Sequence, residues 1–319
     1  MWWNFRVDQA TLDQARGGDG DAFRTLTAPH ERELLLHCYR MLGSLTEAED
    51  ALQETMLAAW RGLGGFEGRA SLRTWLYRIA TNRCLNTLRD NARRVPSEPV
   101  PPFPVPPPTR LSEVRWLQPY PDRLLDGVPE HSPGPDARYE TREAVELAFV
   151  AALQRMPPRQ AATLILRDVL GYPADEVAEM LGTTATAVKG ALQRARAAVP
   201  AVRPGPRDTD DDVARRFATA FTAGDVDGVV ALLTDDAWLS MPPAPHEYHG
   251  RPAIAAFLRA STTHAAGRAL TLSPTRANGR PAFRATLDAA PAGIIVLTTD
   301  NSRIAAITRF HDLTLTNRF

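Results

Sequence analysis

A chain of 319 residues with 37 basic and 37 acidic side chains carries no formal net charge, which excludes a uniformly basic coat for nucleic acid. Its length calls for two or three domains, and no apolar run approaches the roughly 20 residues of a membrane-spanning helix. Cys38 and Cys84 lie in part-apolar helical segments without metal-ligand spacing, so reduced core thiols are expected, with no metal and no cofactor.

In chain order, Met1 to Asp8 meets an acid too soon for a secretory signal, which points to the cytoplasm. Residues 8–94 read as a helical unit. Leu34, Leu35, Leu36, Cys38, Tyr39, Met41 and Leu42 form a dense apolar helix ended by Gly43-Ser44. Thr46-Glu-Ala-Glu49 has the form of a capping box opening the next helix, which would bury Ala48, Leu52, Met56, Ala59 and Trp60. Glu47, Asp50, Gln53 and Glu54 share its other face, suited to a basic partner helix or simply to water.

Phe66 to Asp90 reads as one long helix with Leu72, Trp75, Leu76, Ile79 and Ala80 inward. Arg69, Arg73, Arg78, Arg83, Arg89, Arg93 and Arg94 are opposed only by Glu67 and Asp90. Basic charge can follow a phosphate backbone and aromatic faces can stack on unpaired bases, although the same pattern also describes a solvated face.

Residues 95–135 form a proline-rich linker, expected to be extended because proline lacks the amide donor and fixes φ. Trp116-Leu-Gln-Pro-Tyr-Pro-Asp122 within it suggests docking, either onto a partner or back onto this chain. Residues 136–203 are helical again. Pro157-Pro158 marks a helix break and a new first turn. Tyr172 to Leu181, a turn at Gly182-Thr183 and Thr184 to Ala198 follow helix-turn-helix grammar. The second of these helices carries Thr186, Lys189, Gln193, Arg194 and Arg196, and residues 182–207 contain no acid. Carboxylates there would repel a DNA backbone, so their absence fits a major-groove reader.

The last segment, 208–319, changes period. Two amphipathic helices, around Phe217 and Phe257, precede strands at 270–272, 281–287, 293–299 and 303–310, an α+β domain ending in an antiparallel meander.

Two helical cassettes joined by a proline linker, the second with a helix-turn-helix, resemble a bacterial extracytoplasmic-function sigma factor. The motifs that carry this are Leu45 to Glu54, Phe66 to Asp90 and Met156 to Arg196. The resemblance implies two all-α domains, region 2 (8–94) and region 4 (136–203). Region 2 would dock on the β′ clamp helices of RNA polymerase through Asp50, Gln53 and Glu54, and capture the opened −10 element through Arg73, Trp75, Arg78, Asn82 and Arg83. Region 4 would bind the β flap and read the −35 element through Thr186, Lys189, Gln193 and Arg194, with Arg196 on the same helix.

Leu232 to Pro243, Tyr248 to Leu258 and Ala277 to Phe283 make the C-terminal segment similar to SnoaL-like cone domains, which tune activity in some sigma-factor groups. Trp238, His249 and Arg284 are the candidates for a pocket, whether for a small molecule or an intramolecular contact, and no Asp-Gly-Gly-Gly signature follows the domain. Two other readings stay open: a helix-turn-helix regulator that never touches polymerase, and a cyclase- or hydrolase-like enzyme fused to a DNA-binding remnant. Asp235, Asp236, His246 and Arg309 are further polar candidates for the enzymatic case, which needs an acid–base pair within reach of one proton.

Overall fold

The computed structural model describes residues 8–91, 103–111, 117–126, 128, 139, 143–199, 210–242 and 244–319. Arg93, Arg94, Trp116, Arg203, Arg207 and the start of the linker lie outside them. By contacts the chain divides into two compact units: Met1–Arg94 with Leu124–Ala144 and Met156–Val199, and Val95–Arg123 with Val145–Arg155 and Pro200–Phe319.

The first unit is all-helical. Helices α1 (Gln9–Arg16), α2 (Gly20–Leu42), α3 (Leu45–Gly62) and α4 (Leu72–Asn91) pack around Leu34, Cys38, Tyr39, Leu45, Ala48, Leu76, Tyr77, Ala80 and Cys84. Gly43 takes the left-handed conformation, φ +71°, that ends α2. The cap of α3 is Ser44, whose hydroxyl accepts from the Glu47 amide at 3.2 Å, so the N-cap lies two residues before the expected Thr46. Ser44 is extended, as a cap residue is, whereas Thr46 sits inside the first turn.

Helix α4 likewise starts at Leu72 and not at Phe66. Gly68 has φ +72°, and the Ser71 hydroxyl accepts from the Thr74 amide at 3.0 Å, which opens the helix there.

The other described helices of this unit build a helix-turn-helix. Between α5 (Leu147–Gln154), which belongs by contacts to the second unit, and α6 (Pro158–Leu164) stands the proline pair, with Pro158 in the first turn of α6. Helix α6 runs into a π-helical turn, Ile165–Val169, and α7 (Ala174–Leu181) and α8 (Ala185–Ala198) follow. Gly182, φ +59°, reverses the chain between them, and the Thr184 hydroxyl caps α8 at the Ala187 amide. Val177, Leu181, Val188 and Leu192 are buried in the mutual packing.

The second unit is built on a seven-stranded sheet: β1 (Arg110–Leu111), β2 (Leu233–Met241), β3 (Ala244–His249), β4 (Leu270–Ala277), β5 (Arg280–Leu287), β6 (Ala290–Asp300) and β7 (Arg303–Phe310), in the order β1-β3-β2-β7-β6-β5-β4. Strands β4 to β7 form the expected antiparallel meander, and β2 pairs in parallel with β7, so the whole sheet is mixed. The sequence reading omitted β2 and β3, where Asp235-Asp236 and a proline-rich turn hide the alternation. Three two-residue hairpins, at Asn278-Gly279, Asp288-Ala289 and Asn301-Ser302, have both central residues at positive φ, the turn whose twist matches the strands. Helices α9 (Asp210–Thr222), α10 (Val226–Ala231) and α11 (Arg251–His264) complete the unit, with Phe217, Leu239, Tyr248, Phe257, Ile295 and Ile307 in its core.

Of the proline-rich segment, residues 103–111 and 117–123 dock on this same unit. Strand β1 extends the sheet beside β3, and Tyr120 is fully buried with its amide on Asn278 Oδ1 at 2.8 Å. Asn278 Nδ2 donates to the Val145 carbonyl at 2.7 Å, and Arg280 pairs with Glu146 at 3.0 Å. One hairpin turn thus holds both the linker and the residues leading into α5.

Candidate nucleic-acid and polymerase surfaces

On α4 the expected DNA ligands separate by burial. Arg73 turns inward: its Nε and Nη2 donate to Glu33 Oε2 of α2 at 2.9 and 2.8 Å, and its Nη1 donates to the Tyr172 hydroxyl at 3.1 Å. Its guanidinium lies 4.7 Å from the Tyr77 ring centroid and 5.8 Å from that of Tyr172. Burial pushes the Glu33 carboxyl upward, but hydrogen bonds from His30 and Arg73, with the Arg73 charge, outweigh it and hold the pKa at about 2. In this arrangement Arg73 is an internal anchor, engaged by Glu33 and Tyr172.

Trp75 is half-buried, its ring 5.1 Å from that of Phe66 and against Gly62, so it fixes the loop before α4. Arg78 and Asn82, one turn apart, are exposed on the outer face, and Arg83 is partly exposed. Beneath them His37 is fully buried, with Nε2 on Thr81 Oγ1 at 2.9 Å and its ring edge-on to Tyr77. Cys84, also buried, has its thiol pushed well up by contact with Cys38 and by burial.

Helix α8 buries Val188, Leu192 and Ala195, leaving Thr186, Lys189, Gln193 and Arg194 exposed. Arg196 behaves differently. Its Nε and Nη2 donate to Asp168 Oδ2 and Oδ1 at 2.7 and 2.6 Å, and Asp168 is completely buried. This two-pronged pair ties α8 to the π-helical turn, so Arg196 braces the helix here.

On α3, Asp50, Gln53 and Glu54 are exposed, and Leu57 continues their face at 55% exposure. Trp60, expected in the core, is 37% exposed with its ring edge-on to Phe23 at 5.1 Å. Sequence reasoning missed Leu57 because it fits an inward helical stripe as well as an outward one. It missed Glu33 and Tyr172 because their roles depend on a partner distant in the chain.

In the second unit Trp238 and His249 stack at 4.2 Å across the β2–β3 pair, and Arg110, bonded to Glu247 at 2.8 Å, lies over Trp238. Arg284 is exposed on β5. None of Trp238, His249 and Arg284 lines the unit's cavity of about 510 Å³, because alternation along the strands turns these side chains away from it. Among the polar candidates, Arg309 does line it, whereas Asp235 is 93% exposed and paired with Arg251.

Comparison with known proteins decides among the three readings. The families described as Sigma-70 region 2, Sigma-70 region 4 and SnoaL-like domain match residues 26–94, 146–199 and 214–312. The ECF RNA polymerase sigma factor SigG of Mycobacterium tuberculosis is 40% identical over 333 residues, covering 96% of this chain and 85% of the relative. The chain belongs to the ECF RNA polymerase sigma factors. It is a SigG-like ECF sigma factor with a fused SnoaL-like domain, in a family that is not enzymatic. SigM of the same organism is 36% identical over 194 residues, 60% of this chain and 82% of SigM. The crystal structure of the Mycobacterium tuberculosis sigma factor SigJ shares the fold, with TM-score 0.61 at 22% identity over 92% of this chain and 98% of that one. Membership implies binding to RNA polymerase and to promoter DNA. Among the described residues no helix is long and apolar enough to cross a membrane.

Proposed function

We propose that this ECF sigma factor acts in the cytoplasm and uses residues 8–94 for core polymerase and the −10 element, 136–203 for the −35 element, and 208–319 to tune initiation. The observation that carries this assignment is the sorting of α4 and α8 into ion-paired anchors and exposed ligands. Arg78, Asn82 and Arg83 remain accessible on α4, and Thr186, Lys189, Gln193 and Arg194 on an acid-free α8. Phosphates would be held by the arginines and Lys189, and base edges read by Asn82, Thr186 and Gln193. Asp50, Gln53, Glu54 and Leu57 offer the β′ clamp helices an acidic rim around an apolar contact. The β flap would take region 4.

The two readers occupy one compact unit, in which Tyr172, just ahead of α7, touches Arg73 and Tyr77 of α4. By their positions, −10 and −35 elements lie about 25 base pairs apart, roughly 85 Å of duplex. Helix α2, the longest in the unit, spans only about 35 Å. Reading both elements at once therefore requires Tyr172 to leave α4, and the closed arrangement is a resting state.

Run-off transcription tests the reading: purified chain is added to core polymerase on a library of genomic fragments. One promoter class should start, and deletion of 208–319 should change its output while core binding persists. Absence of core binding or initiation on every template would sink the assignment.

A further inference from the structure

The cavity of the second unit lies between α9, α10, α11 and the sheet, and its volume, about 510 Å³, suits a small organic molecule. Phe103, Phe221, Val229, Met241, Leu258 and Leu270 give it apolar walls. Arg309 of β7 projects among them. Its guanidinium lies 5.7 Å from the Phe221 ring centroid and donates to Ser261 Oγ at 3.2 Å, and among the described residues no carboxylate pairs with it.

The other charged wall groups are engaged elsewhere: Asp225 caps α10 at the Gly228 amide, 2.8 Å, and Arg268 pairs with Asp288 at 2.7 Å. Burial draws Arg309 down only to about 10, so it stays cationic at neutral pH. His311, also on the wall, is drawn to about 4 by burial and by the Arg309 charge, and is neutral. Its Nε2 is buried without a hydrogen-bond partner among the described residues.

A cation taken from water without a counter-ion is strongly unfavourable, and a planar guanidinium fork matches a carboxylate edge. We propose that this cavity binds a small monocarboxylate with an apolar body, its carboxylate on Arg309 and its hydrocarbon or ring system against Phe103, Phe221 and Met241. One uncompensated cation matches one negative charge. Walls that are mostly apolar favour an apolar body over the many hydroxyls of a sugar or nucleotide. Phe103 comes from the proline-rich segment and packs on Phe257 and His264, at 5.7 and 5.3 Å, so the ligand would also bear on the linker. The inference rests on the cavity and stands independently of the promoter assignments.

Calorimetric titration of the full chain tests it, with decanoate as probe, decan-1-ol as its uncharged match and decyl phosphate as a dianionic one. Decanoate should saturate a single site at least tenfold more tightly than either. Arg309→Met should remove that preference while leaving decan-1-ol binding in place, and Arg309→Lys should keep part of it. Ala220→Phe, which fills the cavity, should abolish binding of all three. Arg309→Met should also leave the melting temperature unchanged or raised, because it removes an unpaired charge, whereas a purely structural arginine would lower it. Absence of saturable decanoate binding, equal affinity for decan-1-ol, tighter binding of decyl phosphate, or an Arg309→Met chain that still prefers decanoate would overturn the proposal. The first two comparisons use the unaltered chain and need no variant to fold.

Discussion

Arg73 of α4 grips Glu33 of α2 through a two-pronged pair at 2.8–2.9 Å, and Glu33 is only 4% exposed. Removing the arginine leaves a buried carboxylate with only His30 and the Tyr77 hydroxyl beside it, a change that costs up to roughly 3–5 kcal/mol. Arg73→Ala should therefore speed amide exchange throughout α2 and α4, and any transcription defect should follow that loss of fold. Arg78→Ala removes an exposed side chain and should shift stability by no more than about 0.5 kcal/mol while impairing promoter opening. Hydrogen–deuterium exchange beside an opening assay separates the two. Equal behaviour of the variants would refute the division into anchor and ligand.

His37 makes the same bundle acid-sensitive. Burial first, then the charges of Arg40 and Arg73, lower its pKa from 6.5 to about 3. The unfolded chain binds a proton there that the folded chain refuses, so stability falls as pH drops through 6.5 and continues to fall towards 3. By pH 5 the loss should reach about 2 kcal/mol. Glu33, depressed from 4.5 to about 2, adds a second loss only below pH 4.5. Urea unfolding of the chain and of His37→Gln at pH 7 and pH 5 checks this, since other groups cancel in the difference. The variant should lose markedly less stability on acidification, and parallel slopes would remove His37 as the cause.

Lys189 and Arg196 lie on one helix but should report differently on DNA. Lys189 is exposed, so Lys189→Ala should weaken binding of a −35 duplex and lower the slope of log K against log salt by about 1. Arg196→Ala should leave that slope alone and instead loosen the helix-turn-helix, because Asp168 then stays buried and unpaired. Fluorescence anisotropy over a salt series distinguishes them. A slope change with Arg196→Ala and none with Lys189→Ala would reverse the assignment.

Local rules were enough to read the helix-turn-helix, because Gly182, Thr184 and the Val188–Leu192 spacing act within a few residues of each other. The proline break before α6 is legible for the same reason. Arginine roles were not. Arg73, Arg78 and Arg196 are chemically alike in the sequence, and only the fold brings Glu33 and Asp168 to two of them. The cavity was missed because its defining residue, Arg309, reads as an ordinary strand arginine until Phe221, Ser261 and Phe103 are gathered around it from other elements. Strand β2 was missed since its outward positions, Asp235 and Asp236, are adjacent where the alternation is locally broken.

Tyr172 is where the closed unit can be tested. Its hydroxyl accepts from Arg73 Nη1, its ring meets that of Tyr77 at 5.9 Å, and burial pushes its pKa up to about 12, so it stays a neutral phenol. Tyr172→Ala removes a hydrogen bond to a charged group, about 1.5–3 kcal/mol, and an aromatic pair of about 1 kcal/mol, from the closed state alone. The open state, which holds neither contact, should gain population by tenfold or more. Spin labels at exposed Asn82 and Gln193 should then report a longer distance in the free chain, and polymerase should be captured more tightly because less work is needed to part the two readers. Arg73 keeps Glu33 in the variant, so the α2–α4 bundle itself should remain protected from amide exchange. A distance distribution unchanged by Tyr172→Ala would mean that other contacts hold region 4 against α4, and that Tyr172 is not the latch.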